Sequence, residues 1–408
     1  MLGVDSIAFN YDSSSAASDA LNIRKNASTW VNVPEWQRGI SVNPEDSPAA
    51  YAIAPTTGNT LHVQVSLSCT DPDVSSASVR AVDNVVFPPS PGGCLGIITD
   101  IIRAIVQLVF GNVLGEVKAR QVSFVNGQTG PQLFDLVNTK LSTARVGTHT
   151  TEWRWQYRLG NGAWTDLPQV TKHRIYVVID IPTAPWQQTP YQPSNLQLPW
   201  TDVLDFACSW AAGANDKDIA AGQVTQAVNS LGPATFTYDC PGGGGSHYSA
   251  GQFDCTAFVD RLKGGVGQGL YVNCSDCATF TSTFSNVLGC DLWQSRMGTA
   301  YFLLNDILAI GSSTWQPPCQ GIDNWHGGFG YHEVAWKGAC DVGDHLFDAC
   351  LMVDGDADPT VPPHTPLLPI NMRFGNTGDG DYRDRLCTPA GRPNCNPVPG
   401  SRTRRALS

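Results

Sequence analysis

Between Pro182 and Trp200 the chain carries Pro182, Pro185, Pro190, Pro193 and Pro199. Each proline fixes φ and removes a backbone N–H, so neither a continuous helix nor a central strand can run through this stretch. It is expected to cross the surface in extended form, and residues 186–200 read as a Pro-rich boundary. The hydrophobic pattern changes period across it, and 408 residues leave room for two or three domains.

Upstream the period is two. In TEWRWQYRLGNGAWTDL, Trp153, Trp155 and Tyr157 alternate with Glu152, Arg154, Gln156 and Arg158 before a Gly-Asn-Gly turn. Such a strand offers one aromatic face to a core. Leu61–Leu67, Val79–Phe87, Gln121–Phe124 and Arg174–Ile181 read as further strands. Residues 51–185 are therefore expected to form a mostly-β sandwich that serves recognition. Residues 1–50, rich in Ser, Asn, Ala and Pro, show no sustained period and read as an N-terminal arm. The apolar run near 97–110 is interrupted by Asp100 and Arg103, which are costly in hydrocarbon, so a packed helix is expected there and no membrane span.

Asp and Glu outnumber Lys and Arg by 36 to 25, a net charge of −11 that repels phosphate backbones. A protein or peptide substrate is the expected partner, not nucleic acid. The start, MLGVDSIAFNYDSSSA, lacks the basic region and apolar run of a signal peptide. That fits a cytoplasmic protein or export by a non-classical route. Thirteen cysteines leave at least one without an intramolecular disulfide partner. Cys240, Cys255, Cys340, Cys350, Cys387 and Cys395 are candidates for bridges, Cys387 with Cys395 above all.

Downstream the period becomes helical. In YVNCSDCATFTSTFSNVLGCDLW, Asn273 is a turn-forming entry, Cys277, Phe280, Phe284, Val287 and Leu288 recur at steps of three and four, and Gly289 closes the run. Cys274 then falls in the first helical turn, where unpaired N–H groups and the helix dipole favour a thiolate. The same donors can receive the oxyanion of a tetrahedral intermediate. Cys277 is the rival nucleophile but lies on the apolar stripe, which suits core packing.

A base and an orienting acid follow. YHEVAWKG puts His332, Val334 and Trp336 on one side of a strand, and HLFDACLMV puts Leu346, Asp348 and Cys350 on one side of the next. A hairpin in register sets His332 directly opposite Asp348, with side chains about 5 Å apart. The acid can then hold the imidazole while its other nitrogen faces the thiol.

These residues resemble the nucleophile helix of the transglutaminase-like superfamily: a cysteine, an aspartate two later, an alanine four later and a Leu-Gly at the helix end. Cys274, Asp276, Ala278 and Leu288-Gly289 stand at those positions. His332 before Val334 and Trp336, then Phe347-Asp348, match the histidine and aspartate strands in chain order. Cys277 stands where the family is usually aromatic, and Ala349-Cys350 where it often has Pro-Thr. The resemblance implies a papain-like α+β catalytic domain over residues 201–360. It further implies cysteine-dependent acyl transfer or hydrolysis on protein amides through Cys274, His332 and Asp348. No cofactor is required by that chemistry, although some members of the family use calcium. The Asp-rich segment 352–359 lacks the glutamate that closes a calcium loop.

Trp325, His326, Trp336 and Gln223 are candidates for lining the substrate cleft, Gln223 as an oxyanion donor. Residues 361–408 read as a Pro- and Gly-rich C-terminal tail. A different class of function fits the same residues: a noncatalytic binding or structural protein that keeps the fold, with Cys274 inert.

Overall fold

The computed structural model describes residues 1–14, 17–40, 43–84, 112–137, 139, 141–188, 195–321 and 326–408. The helix expected near 97–110 lies outside them. The chain divides into two compact units, Met1–Ile181 with Gln188–Thr201, and Pro182–Gln187 with Asp202–Ser408.

The first unit holds β1 (Leu2–Ala8), β2 (Trp36–Gln37), β3 (Ala49–Ala52), a short helix α1 (Ile53–Thr56), β4 (His62–Cys69), β5 (Ser76–Asp83), β6 (Glu116–Ser123), β7 (Gln132–Val137), β8 (Gly147–Arg158) and β9 (Thr165–Val178). Where a sandwich is expected, the strands join in one nine-stranded mixed sheet of order β2-β1-β4-β7-β6-β5-β8-β9-β3. All pairings are antiparallel except β3 with β9. β8 keeps the alternation read from sequence, with Trp153 and Trp155 fully buried between half-exposed polar neighbours. The sheet curls far enough for Phe9, just past β1, to stack on Trp153 of β8 with ring centroids 5.8 Å apart. One core cluster therefore collects side chains from β1, β4, β5, β8 and β9. Residues 1–50, expected as an arm, supply β1, an interior strand. Leu2, Val4 and Ile7 are buried there, and a bulge between Val4 and Ser6 interrupts the two-residue period that would have marked a strand.

The second unit is α+β. Its helices are α2 (Thr201–Trp210), α3 (Lys217–Asn229), α4 (Cys255–Leu262), α5 (Cys274–Val287) and α6 (Tyr382–Leu386). Its strands are β10 (Thr237–Tyr238), β11 (Tyr271–Val272), β12 (Trp293–Met297), β13 (Phe302–Leu303), β14 (Leu308–Ala309), β15 (Gly328–Phe329), β16 (His332–Trp336), β17 (His345–Phe347), β18 (Leu351–Asp354), β19 (Pro366–Leu367) and β20 (Met372–Arg373). A four-stranded sheet of order β12-β16-β17-β20 carries the strand with His332. Helix α5 packs against β16, and Phe280 of α5 stacks on Phe258 of α4 at 3.9 Å.

Every residue of α5 is buried, so the one-sided apolar stripe understates its position in the core. Its hydroxyls reach that environment by bonding back to their own helix: Thr279 Oγ1 donates to the Ser275 carbonyl at 2.7 Å and Ser282 Oγ to the Ala278 carbonyl at 2.8 Å. Residues 361–408, expected as a tail, are folded into this unit. Tyr382, Leu386, Cys387 and Cys395 are fully buried, and Thr403 exchanges backbone hydrogen bonds with Gln294 of β12. High Pro and Gly content reads locally as irregular chain and carries no signal for such distant contacts. No helix among the described residues is long and apolar enough to cross a membrane.

Candidate active site

Helix α5 begins where its caps dictate. The Asn273 side chain accepts from the Asp276 N–H at 3.1 Å and Asp276 Oδ2 accepts from the Asn273 N–H at 3.1 Å, a reciprocal capping box that fixes Cys274 as the first helical residue. Asp276 does more than cap. Its two oxygens also accept from the N–H groups of His247, Tyr248 and Ser249 and from the hydroxyls of Ser246 and Ser249, all within 2.7–3.0 Å. This buried carboxylate ties the segment after the glycine run to the start of the helix.

The glycine run folds around a second carboxylate. Asp239 accepts from the N–H groups of Gly242 and Gly245 at 2.8 and 3.0 Å. A Cβ on Gly242 would lie 2.3 Å from Asp239 Oδ2, which is why glycine is needed there. The loop is closely approached.

His332 is fully buried on β16, its ring stacked on Phe329 at 5.5 Å. Its Nε2 lies 2.9 Å from Asp348 Oδ2. The register differs from the expected one. Ala335 pairs with Phe347 and Trp336 with Leu346, which extends to place His332 across from Cys350, two residues beyond Asp348. β17 ends at Phe347, the Asp348 N–H donates to the Pro369 carbonyl at 2.9 Å, and the carboxylate reaches the ring from that turn. Oδ1 of Asp348 accepts from the N–H of Cys350 at 2.8 Å and Oδ2 accepts from the Tyr382 hydroxyl at 2.7 Å. Tyr382 was not visible as a site residue in the sequence, because it lies 34 residues away on α6.

Burial works to lower the His332 pKa, but the Asp348 charge and hydrogen bond, with a further contribution from the Cys274 thiol, push it up to about 10. Nδ1, the ring nitrogen turned away from Asp348, makes no hydrogen bond of ordinary geometry, although Cys274 is near enough to act on the ring. Thiol and imidazole are thus neighbours, short of an aligned bond. Cys274 is only 4% exposed, so its side chain is almost closed to solvent.

The remaining residues sort by contact. A hydrogen bond from Cys350 works to lower the Cys277 thiol, but burial and nearby negative charge push it up; burial drives the Cys350 thiol higher still. Trp336, expected at the cleft, is fully buried, donates its indole N–H to the Ser295 carbonyl at 3.0 Å and packs on Phe374. It is a core residue because β16 is covered on both faces. Gln223 sits on α3 with Oε1 buried and unpartnered, and among the described residues no hydrogen bond joins it to Cys274. His326 is exposed, and Trp325 lies outside the described residues. His345 turns its Nδ1 to the Asn371 carbonyl at 2.9 Å. Glu333, next to His332, accepts from Ser275 of α5 at 2.7 Å and from Arg405 at 2.6 Å, so the helix and the chain's last residues brace the strand.

Cys387 and Cys395 are not bridged. Their thiols are buried neighbours, whereas Cys240 and Cys319 form a disulfide. Among the described residues no group of three or more His, Cys, Asp or Glu is placed to hold a metal. In the segment 352–359 several oxygens already have partners. Asp354 is taken by His364 at 2.7 Å and by the Thr365 N–H at 2.9 Å, and the Arg385 guanidinium occupies the Asp354 and Asp356 carbonyls at 2.6 and 3.0 Å.

No protein-family model and no curated protein sequence matches this chain. Among solved structures, the transglutaminase of red sea bream matches it with a TM-score of 0.34 and 11% identity, over 76% of this chain and 50% of that one. The chain spans half the length of that protein.

Proposed function

We propose that the C-terminal unit is a transglutaminase-like enzyme in which Cys274, His332 and Asp348 carry out acyl transfer or hydrolysis on protein amide groups, with the N-terminal unit serving recognition. The reading rests on one observation above the rest: a buried imidazole bonded at 2.9 Å to a buried carboxylate, with the thiol of a helix's first residue near enough to act on the ring. In this scheme His332 holds the proton taken from Cys274, and the thiolate adds to the amide carbonyl. The Cys274 N–H, at the start of α5, faces the oxyanion. Collapse breaks the C–N bond, His332 returns the proton to the leaving nitrogen, and a thioester remains. Attack by water gives the acid; attack by a primary amine gives a new amide.

Incubation with a protein substrate and a fluorescent primary amine, with ammonia measured in parallel, separates these outcomes. Amine incorporation marks a crosslinker, ammonia without incorporation a deamidase, and new termini a protease. Cys274→Ser is expected to abolish all three signals. If product persists in that variant, the nucleophile is elsewhere. A second reading, a noncatalytic binding protein, draws on the near-complete burial of Cys274; it predicts no product with any substrate and a thiol inert to small electrophiles.

A further inference from the structure

The C-terminal unit contains a cavity of about 430 Å³, within the roughly 300–1,000 Å³ range of ligand sites. Thr237, Tyr238, Cys240 and Pro241 form one wall, and residues between Ala309 and Gln320 form the other. The Cys240–Cys319 disulfide joins the two walls. Among the described residues no Asp, Glu, Lys, Arg or His lines the cavity; its polar side chains are those of Thr237, Tyr238, Tyr271, Ser312, Thr314, Gln316 and Gln320, all neutral.

Two stacked rings link this cavity to the His332–Asp348 pair. Tyr238, in its wall, stacks on Phe329 with centroids 6.3 Å apart, and Phe329 stacks on His332 at 5.5 Å. The Tyr238 hydroxyl also feels the charge of Cys274. Since the thiol is almost buried, the chain that delivers an acyl group must rest on surface near it, and this cavity offers a concave one with Tyr238 between it and the thiol. An ionised side chain placed in it would lose water without gaining a counter-ion, whereas an uncharged one would keep hydrogen bonds to neutral partners.

We propose that the disulfide-walled cavity is the binding site for an uncharged peptide segment flanking the acyl group that Cys274 attacks. The inference rests on the acyl-transfer reading and adds to it the substrate class and the role of the bridge. The bridge holds the two walls at a fixed separation, so binding does not have to order them.

A matched series of peptidyl chloromethyl ketones, carrying Leu, Gln, Glu or Lys beside the reactive group, tests it on the full chain. The concentration dependence of Cys274 labelling yields KI, which reports the cavity, and a limiting rate, which reports the thiol. The Leu and Gln probes are expected to show KI about tenfold below the Glu and Lys probes. Thr314→Asp, at an exposed rim position, should bring the Lys probe down to the neutral ones. Val266→Asp, 77% exposed and outside the cavity, should leave the ordering alone. Loss of the bridge in Cys240→Ser/Cys319→Ser should raise KI for the neutral probes. Equal KI for all four probes, or no response to Thr314→Asp, overturns the site. A limiting rate insensitive to His332→Ala, with the KI ordering intact, instead overturns the acyl-transfer reading and supports the cavity as a peptide site.

Discussion

Asp348 Oδ2 is shared by two donors, His332 Nε2 at 2.9 Å and the Tyr382 hydroxyl at 2.7 Å. Tyr382→Phe removes one of them inside a fully buried site, at a cost of about 1.5–3 kcal/mol for a hydrogen bond to a charged group. The carboxylate charge then falls more fully on His332, so the pH at which the ring loses its proton is expected to rise. NMR titration of the ring and urea unfolding read the two effects, and an unshifted titration would assign Tyr382 a packing role alone. His332 itself binds its proton more tightly when folded, about 10 against an ordinary 6.5. The stabilisation is therefore complete below about 6.5 and is lost as pH rises through about 10. Asp348→Asn should flatten that slope of unfolding free energy; an unchanged slope would mean that the pair is not the source of the proton uptake.

At the scale of elements, α5 was legible because its signals are local. Asn273 at the entry, Asp276 three residues on and Leu288-Gly289 at the exit are read within one segment, and the helix runs Cys274–Val287 as those signals require. The pairing of His332 with Asp348 was legible in residue identity but not in register, since a shift of two residues preserves which side chains share a face. Tyr382 and Arg405, which brace the site from the last part of the chain, left no local trace. Nor did β1, whose bulge breaks its period. Asp276→Ala is expected to fray the start of α5 and release Ser246–Ser249 together. It should cost more than the ~0.5–2 kcal/mol of an ordinary cap, because several buried donors lose their acceptor at once. Hydrogen exchange should rise at His247, Tyr248 and Ser249. Protection unchanged there would show that the loop is held by other contacts.

Across the whole molecule the two units carry separate pH responses. In the first, burial pushes Glu35 up to about 7 and Asp19 up to about 8, from ordinary values of 4.5 and 3.8. Raised acids favour the folded state when protonated, so this contribution is complete below those ordinary values and is lost as pH rises through about 7 and about 8. Glu35 accepts from the Phe9 and Asn10 N–H groups at 2.8 and 3.1 Å, and Glu35→Gln keeps an acceptor while removing the charge. The variant should unfold with less pH dependence between about 4.5 and about 7 than the parent; an identical profile would place the titration elsewhere. In the second unit His332 adds a slope at higher pH. Alkylation of Cys274 by iodoacetamide at neutral pH, located by peptide mapping, bears most directly on the proposed chemistry. Selective modification of Cys274 among the buried thiols is expected, slowed by roughly a hundredfold or more in His332→Ala and unaltered in His345→Ala. A Cys274 that stays unmodified in the folded protein, or reacts equally fast without His332, would contradict it.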